Sequence, residues 1–339
     1  MTRLLKLLLT YQLKSSQRSQ KTNGFTLIEL LIGLILAFLI ITPLLGFLIS
    51  IMTTDRQEQA KANSEQEIQA ALNYIARDLE QAIYIYDANG LANIGPQLPL
   101  ATPANTTNTP VLVFWKRQVV PRALQETTPP DDAFVYSLVA YFQSKSTNCA
   151  TSDLSCTTQI RRFQIDDGVP RKNGSGNWIN PDSGFQSFVK VIVPNTAPGD
   201  TALEKRMNSW TKGPGNYDKN PEVLIDYIDQ SINNNPPPNN IPYTACPVEP
   251  KEDADGNPIP GTNRWSTVPA VPVNAATFSF YACVDTSRTT AQVFMRGNAL
   301  ARMNPKTNVP TYNSSKTTFF PTASIRVKGR GLFNETESK

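Results

Sequence analysis

The hydrophobic pattern near the N-terminus predicts a membrane-spanning helix. Residues from Phe25 to Met52 are predominantly apolar, and Glu29 is the one charged residue among them. About 20 consecutive apolar residues are enough for a helix to cross the hydrocarbon core of a bilayer. The polar run from Thr53 onwards lacks the small-residue site at which a secretory signal peptide is cut. We therefore expect the apolar segment to be retained.

A second pattern predicts that this helix continues beyond the bilayer. Polar helix formers fill residues 55–67, and apolar residues then recur every three or four positions, at Ile68, Leu72, Ile75, Leu79, Ile83 and Tyr86. Such spacing places one apolar stripe along a helix face. Asn89-Gly90 is a typical helix stop, so the extended helix is expected to cover residues 53–89. Arg77 and Asp78 would then lie on a solvated face of the helix.

Residues 90–339 form a different region, rich in short alternating runs separated by Pro, Asn and Gly. In such runs apolar and polar residues alternate with the period of a half-buried strand. The predicted strands are Val111–Trp115, Phe134–Phe142, Gln159–Ile165, Phe185–Val193, Val223–Ile228, Thr277–Val284, Gln292–Met295 and Thr322–Lys328. The fold class expected is α+β: a long N-terminal helix, transmembrane and then amphipathic, packed on antiparallel sheet with long loops.

Charge is unevenly distributed along the chain. The net charge is +4, and all five charged residues among the first 24 are basic. The remainder is near neutral, which argues against nucleic acid as a partner. Basic flanks stay on the cytoplasmic side of a membrane, so residues beyond Met52 are expected outside the cytoplasm.

Cysteine and histidine usage narrows the chemistry. The even count of four cysteines suits disulfides in an oxidising compartment. Three pairings are open, and proximity along the chain favours Cys149 with Cys156 and Cys246 with Cys283. Histidine is absent, which removes the usual general base of a catalytic triad and the commonest zinc ligand. We expect no enzymatic activity and no metal or other cofactor.

Two weaker patterns have a functional and a structural interpretation. The acidic segment from Glu252 to Asn257 offers closely spaced oxygen ligands for calcium, but it does not match an EF-hand loop, and an Asx/Gly turn is favoured. Tryptophans could stack on sugars if exposed, but more often fill a core or an interface. The four tryptophans are Trp115, Trp178, Trp210 and Trp265.

Glu29 is the most informative residue of the apolar segment, because a carboxylate within a membrane is costly and usually functional. If the chain were cut before Phe25, a new ammonium group would lie at the start of the helix. Glu29 could pair with that group on a neighbouring subunit. The alternative is an acid tolerated near the cytoplasmic interface, with its carboxylate reaching water. The acid alone does not decide between the two.

The residues around Glu29 resemble a known processing signal. Lys21-Thr22-Asn23-Gly24-Phe25-Thr26-Leu27-Ile28-Glu29 is similar to the class III signal of type IV pilins and type II secretion pseudopilins. The resemblance implies a prepilin peptidase that removes residues 1–24 by cutting between Gly24 and Phe25. It also implies N-methylation of Phe25 and a role for Glu29 as the family's fifth-position glutamate in assembly.

Two features depart from the family pattern. The leader, with 24 residues, is long and contains an apolar patch from Leu4 to Leu9. Pro43 lies near, but not at, the position at which many pilins carry a helix-bending proline. A proline inside a helix removes one hydrogen bond, so we expect a bend or local melting at Thr42-Pro43.

Further resemblances point to one branch of this class. The stretch ending in Arg77-Asp78-Leu79 resembles large minor subunits of the J or W type, which implies that Arg77 and Asp78 contact neighbouring subunits; a solvated face is the alternative. Together with the earlier part of the helix and the segment Met295–Arg302, this stretch is similar to cyanobacterial hormogonium polysaccharide secretion pseudopilins. That similarity implies a minor pseudopilin of a short filament that serves polysaccharide secretion and gliding motility. The alternatives are a minor pilin of a type IVa pilus, for adhesion or DNA uptake, and a membrane-anchored periplasmic glycan-binding protein.

The resemblance also implies partners and a location. The expected partners are the prepilin peptidase, other pilins or pseudopilins, an inner-membrane assembly platform with its cytoplasmic ATPase, and the exported polysaccharide. The protein is expected to cross the inner membrane once, with its leader in the cytoplasm and residues 90–339 in the periplasm. Transfer into a filament or to the cell surface would follow.

Overall fold

The computed structural model describes residues 24–100, 108–125, 128–145, 155–171, 175–231, 241–253, 255–270, 279–303 and 309–331. The chain divides into two compact units between Asp55 and Arg56. The predicted leader, apart from Gly24, lies outside the described residues, as does Cys149.

Helix α1 (Leu27–Glu80) contains the predicted membrane segment and has 54 residues. Within the first unit its large apolar side chains are exposed, from Met52 at 49% to Leu27 at 86%. The most apolar window has a mean hydropathy of 2.8, and none of it is buried. A surface this apolar needs lipid or other helices around it. The prediction of a helix long and apolar enough to cross a membrane is confirmed.

Pro43 lies inside α1, and the helix runs through it without a break. The predicted local melting is therefore absent. The hydroxyl of Thr42 donates to the carbonyl of Phe38 at 2.8 Å, a bond within the turn that precedes the proline. Bending at Pro43 stays a prediction.

The part of α1 within the second unit buries the predicted apolar stripe. Ile68, Leu72, Ile75 and Leu79 are each at most 2% exposed. The helix ends at Glu80, however, rather than at Asn89-Gly90. Residues Ala82–Ile85 form strand β1, because this run of β-branched and aromatic residues is buried on both faces and pairs with a neighbouring strand.

The first sheet is antiparallel and has five strands in the order β1-β2-β3-β4-β7. These are β1 and, after it, β2 (Asn108–Leu124), β3 (Asp131–Lys145), β4 (Thr158–Asp166) and β7 (Glu222–Ile228). The neighbouring hairpin joins β5 (Val169–Pro170) to β6 (Asn177–Ile179).

The second sheet is also antiparallel, in the order β10-β11-β12-β13. Its strands are β10 (Trp265–Val268), β11 (Phe280–Asp285), β12 (Thr290–Arg296) and β13 (Thr322–Lys328). A hairpin of β8 (Lys251–Glu252) and β9 (Pro258–Ile259) precedes it. A β-bridge joins Ile228, at the end of β7, to Gly297, the residue after β12.

Short helices fill the connections. They are α2 (Ala88–Ile94), α3 (Ala202–Asn208), α4 (Ala299–Met303) and the 3-10 turns Gly95–Gln97, Phe188–Lys190 and Ser314–Phe319. One hydrophobic core joins α1 to both sheets. The architecture is α+β, with a long apolar N-terminal helix and antiparallel sheets.

Seven of the eight predicted strands coincide with observed strands, but Phe185–Val193 does not. This segment forms a 3-10 turn and irregular chain. Phe185 and Phe188 instead pack against Trp115, with ring centroids 5.9 and 4.9 Å away. Their apolar pattern reflects burial against the outer face of the first sheet rather than strand pairing.

The chain after β13 closes against the end of α1. The amide of Arg330 donates to the carbonyl of Glu80 at 2.9 Å, and that of Gly331 donates to Ala82 at 3.0 Å. A Cβ on Gly329 would lie 2.5 Å from the carbonyl oxygen of Ala82. The glycines are therefore required here for close backbone approach.

Candidate functional site

The predicted cleavage site lies in exposed, non-helical chain. Gly24, Phe25 and Thr26 precede the first helical residue, Leu27. Phe25 is 81% exposed, and a Cβ added at Gly24 would meet no atom within 4 Å. The bond between Gly24 and Phe25 therefore lies outside the helix, beside an exposed side chain.

Glu29 takes part in a capping arrangement at the start of α1. Its amide donates to the hydroxyl of Thr26 at 3.3 Å, and the Thr26 hydroxyl lies 3.5 Å from a Glu29 carboxylate oxygen. Thr-x-x-Glu is the sequence of a capping box, and a negative charge in the first turn also favours the helix dipole. Among the described residues no cation pairs with Glu29. This local role was not predicted from the sequence, although Thr26 and Glu29 have the required spacing.

Asp78 is buried rather than solvated, and it lies at the centre of an ionic cluster. Its carboxylate accepts from Lys116 Nζ at 2.8 Å, from Arg162 Nε at 2.7 Å and from the hydroxyl of Tyr141 at 2.6 Å. The donors come from β2, β3 and β4, so the cluster ties α1 to three strands. The expectation that Asp78 lies on a solvated face or contacts other subunits is wrong, whereas Arg77 is exposed.

The charges around Asp78 determine its ionisation. Burial by itself raises the pKa of a carboxyl, but here hydrogen bonds and charge from Arg162 and Lys116 outweigh it. The pKa of Asp78 is therefore held below its ordinary value of 3.8. At neutral pH Asp78 is ionised, and its negative charge offsets the buried positive charges of Lys116 and Arg162.

Segment Met295–Arg302, which carried part of the family resemblance, has a structural role. The guanidinium of Arg296 is 2% exposed and pairs with the buried carboxylate of Asp229, with Nε 2.8 Å from Oδ2. It also donates to the carbonyl of Pro242 at 2.9 Å. The side chain of Asn298 accepts from the amide of Ala301 and so caps helix α4.

The same segment contacts α1. A Cβ added to Gly297 would lie 2.7 Å from Cδ1 of Ile68, so the backbone here touches the helix. Arg302 donates through Nε to the hydroxyl of Ser64 at 2.8 Å and forms an ion pair with Glu67. These contacts fix the second sheet to the helix.

One of the two predicted disulfides is confirmed. Cys246 and Cys283 are bonded, with Cα atoms 5.4 Å apart, and join the loop before β8 to β11. Cys156 is also disulfide-bonded, but its predicted partner Cys149 lies outside the described residues. That pairing stays a prediction.

The acidic segment that could bind calcium forms the turn between β8 and β9. One carboxylate oxygen of Asp253 accepts from the amides of Asp255 at 3.0 Å and Asn257 at 2.8 Å, and Gly256 has a φ of 83°. This is the geometry of an Asx/Gly turn. Within the described ranges, no group of three or more His, Cys, Asp or Glu side chains could hold a metal ion.

Comparisons with protein families, with curated proteins and with solved structures found no match for this chain.

Proposed function

We propose that this protein is a pilin-like subunit, cleaved between Gly24 and Phe25 and assembled through α1 into a short filament. One observation carries the proposal: the exposed apolar segment at the start of α1, up to Met52, has a single acid, Glu29, which lies four residues after Phe25 of an exposed Gly-Phe bond. Cleavage there would place an ammonium group one helical turn from that acid.

The chemistry of assembly follows from this arrangement. In the membrane, the apolar side chains of α1 contact lipid, and in a filament they would contact helices of other subunits. Lipid tails are as apolar as these side chains, so transfer between the two environments is nearly balanced. The pairing of Glu29 with the Phe25 amine of a neighbour would neutralise two charges in an apolar setting and set the axial stagger of the subunits. A cytoplasmic ATPase would drive the step.

The proposed position in the filament is that of a minor or terminal subunit, because the large region of residues 90–339 limits close packing of the helices. The proposed system is polysaccharide secretion with gliding motility, supported by the resemblance of the helix and of segment Met295–Arg302. A minor pilin of a type IVa pilus would undergo the same processing and assembly. Deletion separates the two: loss of secreted polysaccharide with pili intact favours secretion, and loss of pili favours the alternative.

Mass spectrometry of the mature N-terminus tests the proposal. Protein isolated from producing cells is expected to begin at N-methylated Phe25. In cells lacking prepilin peptidase, the same protein is expected to begin at Met1. A mature protein that keeps residues 1–24 in the presence of the peptidase would contradict the proposal.

A further inference from the structure

A polar cleft lies on the second unit, among β1, helix α3, the β8–β9 hairpin and the turn between β11 and β12. Its volume is about 670 Å³. Small-molecule sites typically have volumes of roughly 300–1,000 Å³. The cleft is thus large enough for a ligand rather than for a few water molecules.

Three buried hydrogen-bonding groups in the cleft wall have no hydrogen-bond partner among the described residues. One of them, Nε of Arg264, forms an ion pair with Asp285, and the other two have no partner of either kind. These two are the hydroxyl of Tyr84 and the indole N–H of Trp265. Tyr84 is 2% exposed and Trp265 is 5% exposed. A buried polar group without a partner is unfavourable by about 1–3 kcal/mol, so native proteins rarely keep one.

Both groups are donors in this setting. An indole N–H can only donate. Burial raises the pKa of the Tyr84 hydroxyl well above its ordinary value, so this group keeps its proton. The missing partner therefore has to supply acceptor oxygens.

The charged residues of the cleft are already engaged. Lys251 pairs with Asp200, and Arg288 pairs with Glu252 at 2.7 Å. Arg264 contacts Glu252 and the buried Asp285, at 3.2 Å each. Since no cation of the wall is left without an acid, the cleft is poorly suited to an anionic ligand.

The remaining wall consists of Leu203, of three carboxylates that accept from backbone amides (Asp87, Glu204 and Asp253), and of groups that both donate and accept. Hydroxyls and amides suited to a ligand with several hydroxyl groups are those of Asn89, Thr201, Asn263, Ser266, Ser287 and Thr289. We infer that this cleft binds an uncharged saccharide unit, whose oxygens accept hydrogen bonds from Tyr84 and Trp265. The site does not depend on processing at Phe25. If the proposed function holds, the ligand is part of the exported polymer.

Binding is tested on the full chain in a phosphocholine detergent, which has no sugar headgroup. The probes are neutral hexasaccharides of glucose, galactose, mannose and N-acetylglucosamine, with hexagalacturonate as the anionic comparison. Titration calorimetry is expected to show saturable binding of at least one neutral probe. Tyr84→Phe and Trp265→Phe should each weaken it about 3- to 10-fold, the range for loss of one hydrogen bond. Tyr74→Phe, on the exposed face of α1, should leave it unchanged.

Thermal unfolding separates a ligand-binding role from a role in the fold. Without sugar, Tyr84→Phe should unfold at the wild-type temperature or above it, because the hydroxyl has no protein partner to lose. A lowered unfolding temperature would overturn the inference, as would the absence of binding to every neutral probe, a preference for hexagalacturonate, or binding that Tyr84→Phe does not change. The uncleaved precursor gives the same readouts, so a failure here is distinct from a failure of the proposed processing.

Discussion

At the residue scale, Glu29 has one observed role and one proposed role, which a substitution to alanine would not separate. Its side chain belongs to the capping arrangement with Thr26, and its charge is the proposed partner of the Phe25 amine. Glutamine is accepted at the same capping position but is neutral.

We predict that Glu29→Gln is cleaved at the wild-type rate but is not incorporated into filaments, because the cap is kept and the charge is lost. Peptidase processing is followed by mass shift, and incorporation by immunoblotting of sheared filaments. Glu58→Gln, an exposed acid later in α1, should assemble normally. Normal incorporation of Glu29→Gln would assign Glu29 to capping alone.

Asp78 offers a second test at this scale. Asp78→Asn leaves the cations of Lys116 and Arg162 buried without their carboxylate. Removal of one partner from a buried ion pair lowers the free energy of unfolding by about 3–5 kcal/mol. Urea unfolding of the full chain in detergent measures this loss, and Glu80→Gln, on the exposed face, should cause almost none.

The lowered pKa of Asp78 adds a pH dependence to that prediction. An unfolded aspartate titrates near pH 3.9, and folded Asp78 titrates below 3.8. The stabilisation is therefore fully present above about pH 4 and is lost as the pH falls through the folded pKa. The difference in the free energy of unfolding between wild type and Asp78→Asn should be constant from pH 7 to pH 5. Below pH 4 this difference should become smaller. A difference that stayed constant to pH 2 would contradict this account.

At the element scale, the contact of Gly297 with α1 leads to a compensation experiment. Gly297→Ala places a methyl group against Cδ1 of Ile68, and overpacking of this kind costs about 1–3 kcal/mol. Ile68→Val removes that carbon, so we expect the double variant to recover part of the loss. A double-mutant cycle measures the coupling.

The matched control for this cycle is Gly95→Ala. An added Cβ there would have ordinary contacts, the nearest at 3.8 Å. Its effect should be small and should add independently to that of Ile68→Val. If the effects of Gly297→Ala and Ile68→Val on the free energy of unfolding were simply additive, the proposed contact between Gly297 and α1 would be contradicted.

The helix itself was largely predictable, because its signals are local. Ile68, Leu72, Ile75 and Leu79 have a period that matches only a helix, and they are buried as expected. The last two positions of the same series, Ile83 and Tyr86, were wrongly predicted to be helical. Ile83 lies in a strand and Tyr86 follows it, since spacings of three and four also occur by chance in a continuous apolar run.

The long-range features were not predictable from one sequence. Nothing in the sequence near Asp78 indicates that its partners come from three strands. Its charge therefore predicted an exposed position on the helix. Likewise, the unpartnered donors of Tyr84 and Trp265 become visible only when separate strands bring them to one cleft. By contrast, the elements that define the candidate processing site lie within a few residues of one another.

At the scale of the whole molecule, the disulfide reports on topology. Cys246 and Cys283 are 37 residues apart, and a loop of this length gives a stabilisation of about 4 kcal/mol in the chain-entropy model. We predict that Cys246→Ser/Cys283→Ser lowers the free energy of unfolding by an amount of that order. The double variant keeps the disulfide of Cys156, so fully reduced wild-type protein should be at least as destabilised as the double variant.

Thiol labelling in intact cells tests the predicted location directly. If the body lies outside the cytoplasm, Cys246 and Cys283 should react with an alkylating reagent only after reduction. Immediate labelling would place the body in a reducing compartment and contradict the predicted orientation.

The pairing of Arg330 and Gly331 with Glu80 and Ala82 has a consequence for biogenesis. The first residues of the sheet emerge from the ribosome long before the residues that cover them. A nascent chain halted upstream of Gly329 leaves the carbonyl of Glu80, at the end of α1, and that of Ala82, in β1, without these two amide donors. Premature termination, even by a few codons before that point, would thus expose the product to proteolytic quality control.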